Sequence, residues 1–375
     1  MMEMKKLGFG TMRMPLDNPE DPTSVNLEQV CQMVDAFMEQ GFCYFDTAYM
    51  YHKYESERIV KKALVERYPR ECYLLADKLP LSHLKAAEDM PGFFDEQLEK
   101  CGVDYFDYYL LHNVSRTYYE VAEKFGAFAF ARQKKAEGKI RRLGFSFHAD
   151  AELLEELLEK HPEVEFVQLQ LNYIDWESQY IQSRKCYELC RKYGKDVIVM
   201  EPVKGGILAN VPKEAETLMK SVHPELSAAS WAIRFAAGLD GVIMVLSGMS
   251  DMGQMLDNLS YMKEFKPMDE QELDVVRQAA DIIQSSIAVA CTACRYCVEG
   301  CPKKLAIPEY FSLYNQQKLF GGKSNAGGYY ANYLKKHGSA GDCIGCKKCE
   351  RICPQHLPIA ELMKDVSAVF DKKEA

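Results

Sequence analysis

The sequence contains no apolar run of the roughly 18 residues that a membrane-spanning helix requires, so no membrane partner is expected. It has no basic surplus either. The net charge is −9, whereas phosphate-backbone binding depends on clustered Lys and Arg, so nucleic acid is not an expected partner. The opening residues Met1 to Arg13, MMEMKKLGFGTMR, lack the apolar core of a secretory signal. A cytoplasmic location is the expectation. A G-x-G-x-x-G fingerprint after a first strand is missing as well: Gly8-Phe9-Gly10 is not followed by a third glycine at the right spacing. That argues against a doubly wound dinucleotide-binding sheet.

What is present is an ordinary globular composition, 47% apolar and 27% charged over 375 residues, long enough for a barrel and a smaller module. Short apolar runs alternate with segments of helical period. The runs cover residues 41–45, 72–78, 105–112, 141–146, 166–171, 197–200 and 242–246, and residues 7–12 form an eighth strand or a cap. Helical periodicity covers 27–40, 56–68, 150–160, 179–193 and 227–237. Such alternation predicts βαβ units and a parallel sheet. Seven or eight units fit the length of a (β/α)8 TIM barrel. The expected fold is therefore α/β. A barrel over 1–265 is followed by a linker helix over 266–289, capped by Asp269, and a small, mostly helical dicluster ferredoxin-like module over 290–375.

That module follows from the cysteines. Of fourteen, six are scattered and eight lie between Cys291 and Cys353. A disulfide scaffold would suit a short secreted chain, which this is not. The eight form two copies of one pattern: Cys291-x2-Cys294-x2-Cys297-x3-Cys301-Pro302 and Cys343-x2-Cys346-x2-Cys349-x3-Cys353-Pro354. A [4Fe–4S] cubane needs four converging thiolates. In two-cluster ferredoxins the fourth cysteine of each run serves the other cluster. The spacing therefore predicts one cluster on Cys291, Cys294, Cys297 and Cys353, and a second on Cys343, Cys346, Cys349 and Cys301. Zinc sites do not use this three-plus-one spacing. The stretch resembles a bacterial-type dicluster ferredoxin, with a longer connection between the runs. Cys43, Cys186 and Cys190 read as small core residues. The glycine-rich residues 321–328 read as a loop, without P-loop spacing.

In a barrel, reactive groups gather just past the carboxyl ends of the strands. Three predicted strands end in such groups: Asp46, with Tyr49 and Tyr51 behind it; Lys78; and His112-Asn113. A carbonyl reduction needs hydride at carbon and a proton at oxygen. A phenol is a weak acid at neutral pH, and a neighbouring ammonium would lower its pKa. A histidine can hydrogen-bond the carbonyl oxygen.

These stretches resemble the aldo/keto reductases. The likeness runs from Leu7-Gly8-Phe9-Gly10-Thr11-Met12 through Phe45-Asp46-Thr47-Ala48-Tyr49-Met50-Tyr51 and Ala76-Asp77-Lys78. It continues through Tyr109-Leu110-Leu111-His112-Asn113, Ile140-Arg141-Arg142-Leu143-Gly144-Phe145-Ser146 and Phe166-Val167-Gln168-Leu169-Gln170. The resemblance implies a catalytic set of Asp46, Tyr51, Lys78 and His112, with Tyr51 as general acid/base. It covers most of residues 7–259 and points to the branch carrying a C-terminal ferredoxin module. It also implies that Ser146 and Gln168 meet the nicotinamide carboxamide. Glu201 stands where relatives often stack an aromatic ring. Lys204 meets a phosphate or an anionic substrate, or is a solvated loop residue. Gly248, Gln254 and Asn258 belong to the segment that clasps the adenosine phosphates. Relatives that select NADPH carry Lys and Arg there, so NADH is favoured.

Hydride transfer moves two electrons and each cluster accepts one. A flavin could bridge the two, or an external ferredoxin could feed the clusters. The expected function is an iron–sulfur oxidoreductase acting on a small carbonyl or alcohol substrate. Two alternatives remain open: a nicotinamide-dependent reductase with structural clusters, and an electron carrier whose barrel is a docking scaffold.

Overall fold

The computed structural model describes residues 4–178, 181–320 and 326–371. Eight parallel strands close into one barrel in chain order. They are β1 (Leu7–Gly10), β2 (Tyr44–Asp46), β3 (Leu74–Leu79), β4 (Phe106–Val114), β5 (Ile140–Phe147), β6 (Phe166–Gln170), β7 (Asp196–Met200) and β8 (Val242–Ser247). The opening stretch is thus a true barrel strand, pairing with β2 and β8.

Alternation along each strand decides what lies inside. Tyr44, Ala76, Tyr108, Leu110, Phe166, Ile198, Met244 and Leu246 form one buried cluster. Asp46, Lys78, His112 and Gln168 lie two residues further along their strands than Tyr44, Ala76, Leu110 and Phe166. Side chains two apart share a face, so the polar residues form the next layer toward the carboxyl end. The aromatic layer needs room. A Cβ on Gly144 would sit 2.5 Å from the Phe166 ring, so only glycine fits there.

Helices Asp89–Cys101, Arg116–Phe125, Ala127–Ala136, Lys213–Val222 and Met252–Met262 join those expected from periodicity. No helix among the described residues is long and apolar enough to cross a membrane.

The chain divides into two compact units. The first contains the barrel strands, the described residues up to Ser178, and then Gln182–Pro202 and Ala229–Leu273. The second contains Val203–Ala228 and the chain from Asp274 onward. Helix Glu270–Ser286 runs from one unit into the other, and Asp269 caps it by accepting from the Glu272 amide at 2.9 Å.

In the second unit, helices Ile307–Phe320 and Ile359–Phe370 supply core residues including Tyr310, Phe311, Met363 and Val366. Cys297 and Cys349 lie in this core, and Cys291, Cys301, Cys343 and Cys353 pack against it. Residues 321–325 of the glycine-rich stretch lie outside the described residues. Ala326 to Gly328 are helical rather than looped, within Ala326–Tyr333.

Candidate active site and candidate metal centres

Lys78 is the centre of the polar layer. It is 1% exposed, and its Nζ donates to Asp46 Oδ1 at 2.5 Å and to the Thr47 carbonyl at 2.6 Å. Burial lifts the Asp46 carboxyl above its usual range while Lys78 opposes that shift. Hydroxyls brace the end of β2. Thr11 Oγ1 donates to the Asp46 carbonyl at 2.9 Å, and Ser56 Oγ lies 2.9 Å from both Thr11 Oγ1 and Thr47 Oγ1.

Tyr51 follows β2 and opens the short 3-10 turn Tyr51–Tyr54. Its ring lies 5.2 Å from Lys78 Nζ and 6.0 Å, edge-on, from His112. The next three residues all have left-handed backbone, with φ of 50° at His52, 51° at Lys53 and 75° at Tyr54. None is glycine, so the turn is strained, as at many functional sites.

The phenol differs from expectation. Burial first, then the carboxylates of Asp46, Asp77 and Glu201, push Tyr51 well above its ordinary value of 10.0, with Arg13 opposing. The Lys78 charge, held by Asp46, does not reverse this shift. Tyr51 therefore keeps its proton at neutral pH. His112 moves the other way: burial, then the positive field of Lys78, holds it well below 6.5. It is neutral at pH 7, and its buried Nδ1 has no hydrogen-bond partner among the described residues.

Behind Lys78 lies a network that periodicity did not signal. Asp77 Oδ1 accepts from the Lys78 amide at 2.8 Å. Gln97 Nε2 donates to Glu57 Oε1 at 3.2 Å and to the Lys78 carbonyl at 3.0 Å, and Tyr109 donates to Gln97 Oε1 at 2.6 Å. Lys100 Nζ is 3.4 Å from Glu57 Oε2. Asp77 and Glu57 are both fully buried. Burial first, then the Glu57 charge, raises Asp77 well above 3.8. Its stabilising contribution is full below 3.8 and fades as pH climbs through the folded value. An Asp77→Asn variant cannot ionise, yet its amide oxygen can still accept from Lys78. Its urea midpoint is expected to fall less than that of the parent as pH rises from below 3.8. Parallel declines would show that Asp77 does not titrate in this way.

The residues expected to meet a nicotinamide divide into groups. Ser146 and Gln168 are register partners on β5 and β6. Ser146 Oγ accepts from the Asn113 amide at 2.7 Å, leaving its O–H to donate. Gln168 Nε2 lies 3.5 Å from Asp46 Oδ2, and its buried Oε1 has no partner among the described residues. A buried acceptor without a donor beside a hydroxyl suits a carboxamide. Glu201, at φ 54°, accepts from Gln170 at 3.5 Å. Near the carboxyl end of β8, a Cβ on Gly248 would lie 3.3 Å from the Arg13 side chain, a cation the sequence pattern did not single out.

Gln254 and Asn258 make hydrogen bonds within the chain. Gln254 Oε1 accepts from the Ser250 amide at 2.9 Å, and its own amide donates to the capping Asp251 at 2.9 Å. Asn258 is buried, donating to Ser247 Oγ at 2.7 Å and accepting from Tyr261 at 2.5 Å. Lys204 does not group with the first unit. It is 2% exposed in the second unit and donates to Gln355 Oε1 at 3.0 Å.

The two cysteine runs have matching backbones. Left-handed residues recur at corresponding positions: Ala293 and Gly345, Arg295 and Lys347, Lys304 and His356. Short helices Tyr296–Glu299 and Lys348–Arg351 each carry the third cysteine of a run. Left-handed turns point amides inward, a geometry common at iron–sulfur sites, and the Ala293 amide donates to Cys291 Sγ at 3.4 Å.

Cys301, Cys343, Cys346 and Cys349 line one pocket together with Ile307, Ile359 and Met363. Burial first, then the neighbouring Cys294, Cys291, Cys353 and Cys349 thiols, push the Cys297 thiol up. Among the described residues, no three His, Cys, Asp or Glu side chains converge tightly enough for a single ion. Cysteines spread around a cavity suit a multi-iron cluster, and this donor set fits one.

The aldo/keto reductase family model matches residues 6–281, and a 4Fe-4S dicluster domain matches residues 290–357. Among curated proteins, the chain is 28% identical over 183 residues to an acetyl-CoA decarbonylase/synthase complex subunit alpha 1 of Methanosarcina mazei; the match covers 46% of this chain and 20% of that protein. It is 29% identical over 142 residues to an aldo-keto reductase of Mycolicibacterium smegmatis, covering 38% of this chain and 45% of the other. The chain thus spans less than half the length of these relatives. An aldo-keto reductase from Bacillus halodurans in its holo form superposes with a TM-score of 0.58 at 23% identity, covering 73% of this chain and 91% of that one. One from Klebsiella pneumoniae in complex with NADPH gives 0.57 at 19%, covering 73% and 90%. At these identities the structural likeness speaks to the fold.

Proposed function

The chain belongs to the aldo/keto reductase family and carries a 4Fe-4S dicluster domain, and from that premise we propose that it is an iron–sulfur oxidoreductase that reduces a small carbonyl compound. The observation that carries this reading is the buried Lys78–Asp46 pair at 2.5 Å beside the Tyr51 ring and the neutral His112.

A bound nicotinamide supplies the hydride. The chain's own residues do the remainder. Tyr51, protonated at neutral pH, gives its proton to the carbonyl oxygen as the C=O bond becomes CH–OH. His112 donates a hydrogen bond to the same oxygen and aligns it. Asp46 and the Thr47 carbonyl hold Lys78 Nζ close to the Tyr51 ring, where its positive field favours charge on the departing phenolate. Ser146 and Gln168 would hold the carboxamide. Arg13, beside Gly248, offers a cation for the cofactor phosphates. Asp251, accepting from the Gln254 amide at 2.9 Å, puts a carboxylate at the start of Met252–Met262. It opposes the additional phosphate of NADPH and supports NADH.

Cys291, Cys294, Cys297 and Cys353 would hold one cluster, and Cys343, Cys346, Cys349 and Cys301 the other. Clusters supply one-electron steps. A second reading, in which an external one-electron carrier such as a ferredoxin reduces the protein, is favoured by the exposure of Cys346 and by Lys303, Lys347 and Lys348 around the cavity that it lines.

The test uses protein purified without oxygen. NADH is expected to bind more tightly than NADPH by fluorescence and to be consumed when a small aldehyde is added. Bleaching of the cluster absorbance by NADH would join the two redox systems and direct the search to a bridging flavin. Failure of either nicotinamide to bind, with rapid bleaching by a reduced ferredoxin, would replace the first reading by the second.

A further inference from the structure

Lys204 and the turn that carries it stand beside one cysteine set. The residue follows β7 in the chain, yet Val203–Ala228 groups with the second unit. Its turn has three successive left-handed residues, with φ of 45° at Lys204, 64° at Gly205 and 99° at Gly206. The non-glycine Lys204 holds this conformation at some cost in strain. The turn is pressed against the first cysteine run. A Cβ on Gly205 would lie 2.5 Å from the Thr292 carbonyl, so only glycine allows the approach. Thr292 sits between Cys291 and Cys294 and is itself buried. From the other side, Lys204 Nζ donates to Gln355 Oε1 at 3.0 Å. Gln355 is buried and lies two residues beyond Cys353. The Lys204 turn thus meets the segment bearing Cys291 and Cys294 through Gly205, and its ammonium meets the segment following Cys353 through Gln355. Among the described residues, the Cys346 side shows no counterpart of this kind. There the lysines are exposed, and solvent screens them.

We propose that Lys204 is a tuning residue that raises the reduction potential of the cluster held by Cys291, Cys294, Cys297 and Cys353, leaving the other cluster at a lower potential. Four thiolates make a cluster site strongly negative, and reduction adds another electron. A buried cation beside it stabilises the reduced form, whereas a screened surface cation contributes little. An electron arriving at the exposed Cys346 side then moves downhill to the Lys204 side. The inference rests on the assignment of the eight cysteines made above.

The experiment is anaerobic redox titration of the holoprotein followed by electron paramagnetic resonance. Cys294→Ser and Cys346→Ser assign each signal to its cluster. In Lys204→Gln and Lys204→Met, one midpoint is expected to fall by about 59 mV, a tenfold change for a one-electron couple, while the second stays in place. The two neutral variants should agree, because charge rather than the hydrogen bond to Gln355 sets the effect. Lys204→Arg should stay near the parent. Midpoints unchanged in both neutral variants, or both clusters shifted alike, would overturn the proposal. So would loss of iron from both neutral variants, which would make Lys204 a residue for cluster retention. Parent protein that assembles no clusters at all would instead strike at the cysteine assignment, and iron analysis distinguishes that failure.

Discussion

Tyr51→Phe is expected to lower carbonyl reduction by about 10²- to 10⁴-fold, the range for removing a positioned general acid, while nicotinamide binding and the cluster spectrum stay as they are. The substitution removes one oxygen and leaves the ring, with its contacts to Lys78 at 5.2 Å and His112 at 6.0 Å. The pH profile adds a second readout. Burial and the carboxylates of Asp46, Asp77 and Glu201 hold the phenol above 10.0, so the acidic form persists through the neutral range. Reduction in the parent should not decline through Tyr51 ionisation until pH exceeds that value. Alcohol oxidation, which needs the phenolate as base, should be slow at neutral pH and rise with alkalinity. Turnover within threefold of the parent in Tyr51→Phe would remove this residue from the chemistry and favour the barrel as a scaffold.

Lys78→Met should have the largest effect on stability. It leaves Asp46 as a buried carboxylate without its counter-ion. Breaking a buried pair from one side costs on the order of 3–5 kcal/mol. The urea midpoint of the first unit should fall accordingly, and activity should be lost. The double variant Lys78→Met/Asp46→Asn separates the two consequences. With the charge removed from both sides, much of the stability should return while activity stays absent. Coupling of this kind is the signature of residues in direct contact. Equal losses in the single and double variants would show that Lys78 acts by packing alone.

Much of this could be read from the order of residues. A strand buried on both faces must be apolar throughout, so the barrel strands appear as short apolar runs. The cysteine runs are equally legible, because four thiolates must converge on each cluster and only a few spacings allow it. Asp46, Lys78 and His112 could be named because each closes a predicted strand, and the fold then brings Lys78 Nζ within 2.5 Å of Asp46. Tyr51 needed the family likeness, since it opens a short strained turn without periodicity.

Other features arose only on folding. The Glu57–Asp77–Gln97 network joins residues far apart in the chain, and each by itself reads as a surface polar group. The direction of the Tyr51 shift depends on how many carboxylates surround the phenol and on which of them already holds Lys78. Asn258 and Gln254 occupy expected cofactor positions, yet they face Ser247, Tyr261 and Asp251. Lys204 illustrates the division best. Its sequence shows a lysine before two glycines after a strand. Only the turn against Thr292 and the bond to Gln355 assign it to the cluster unit. Sequence therefore determined the elements and the chemistry they carry, because burial and ligand spacing are local patterns. Tertiary structure alone decided which charges face one another, because electrostatic energy depends on distance in space and not along the chain.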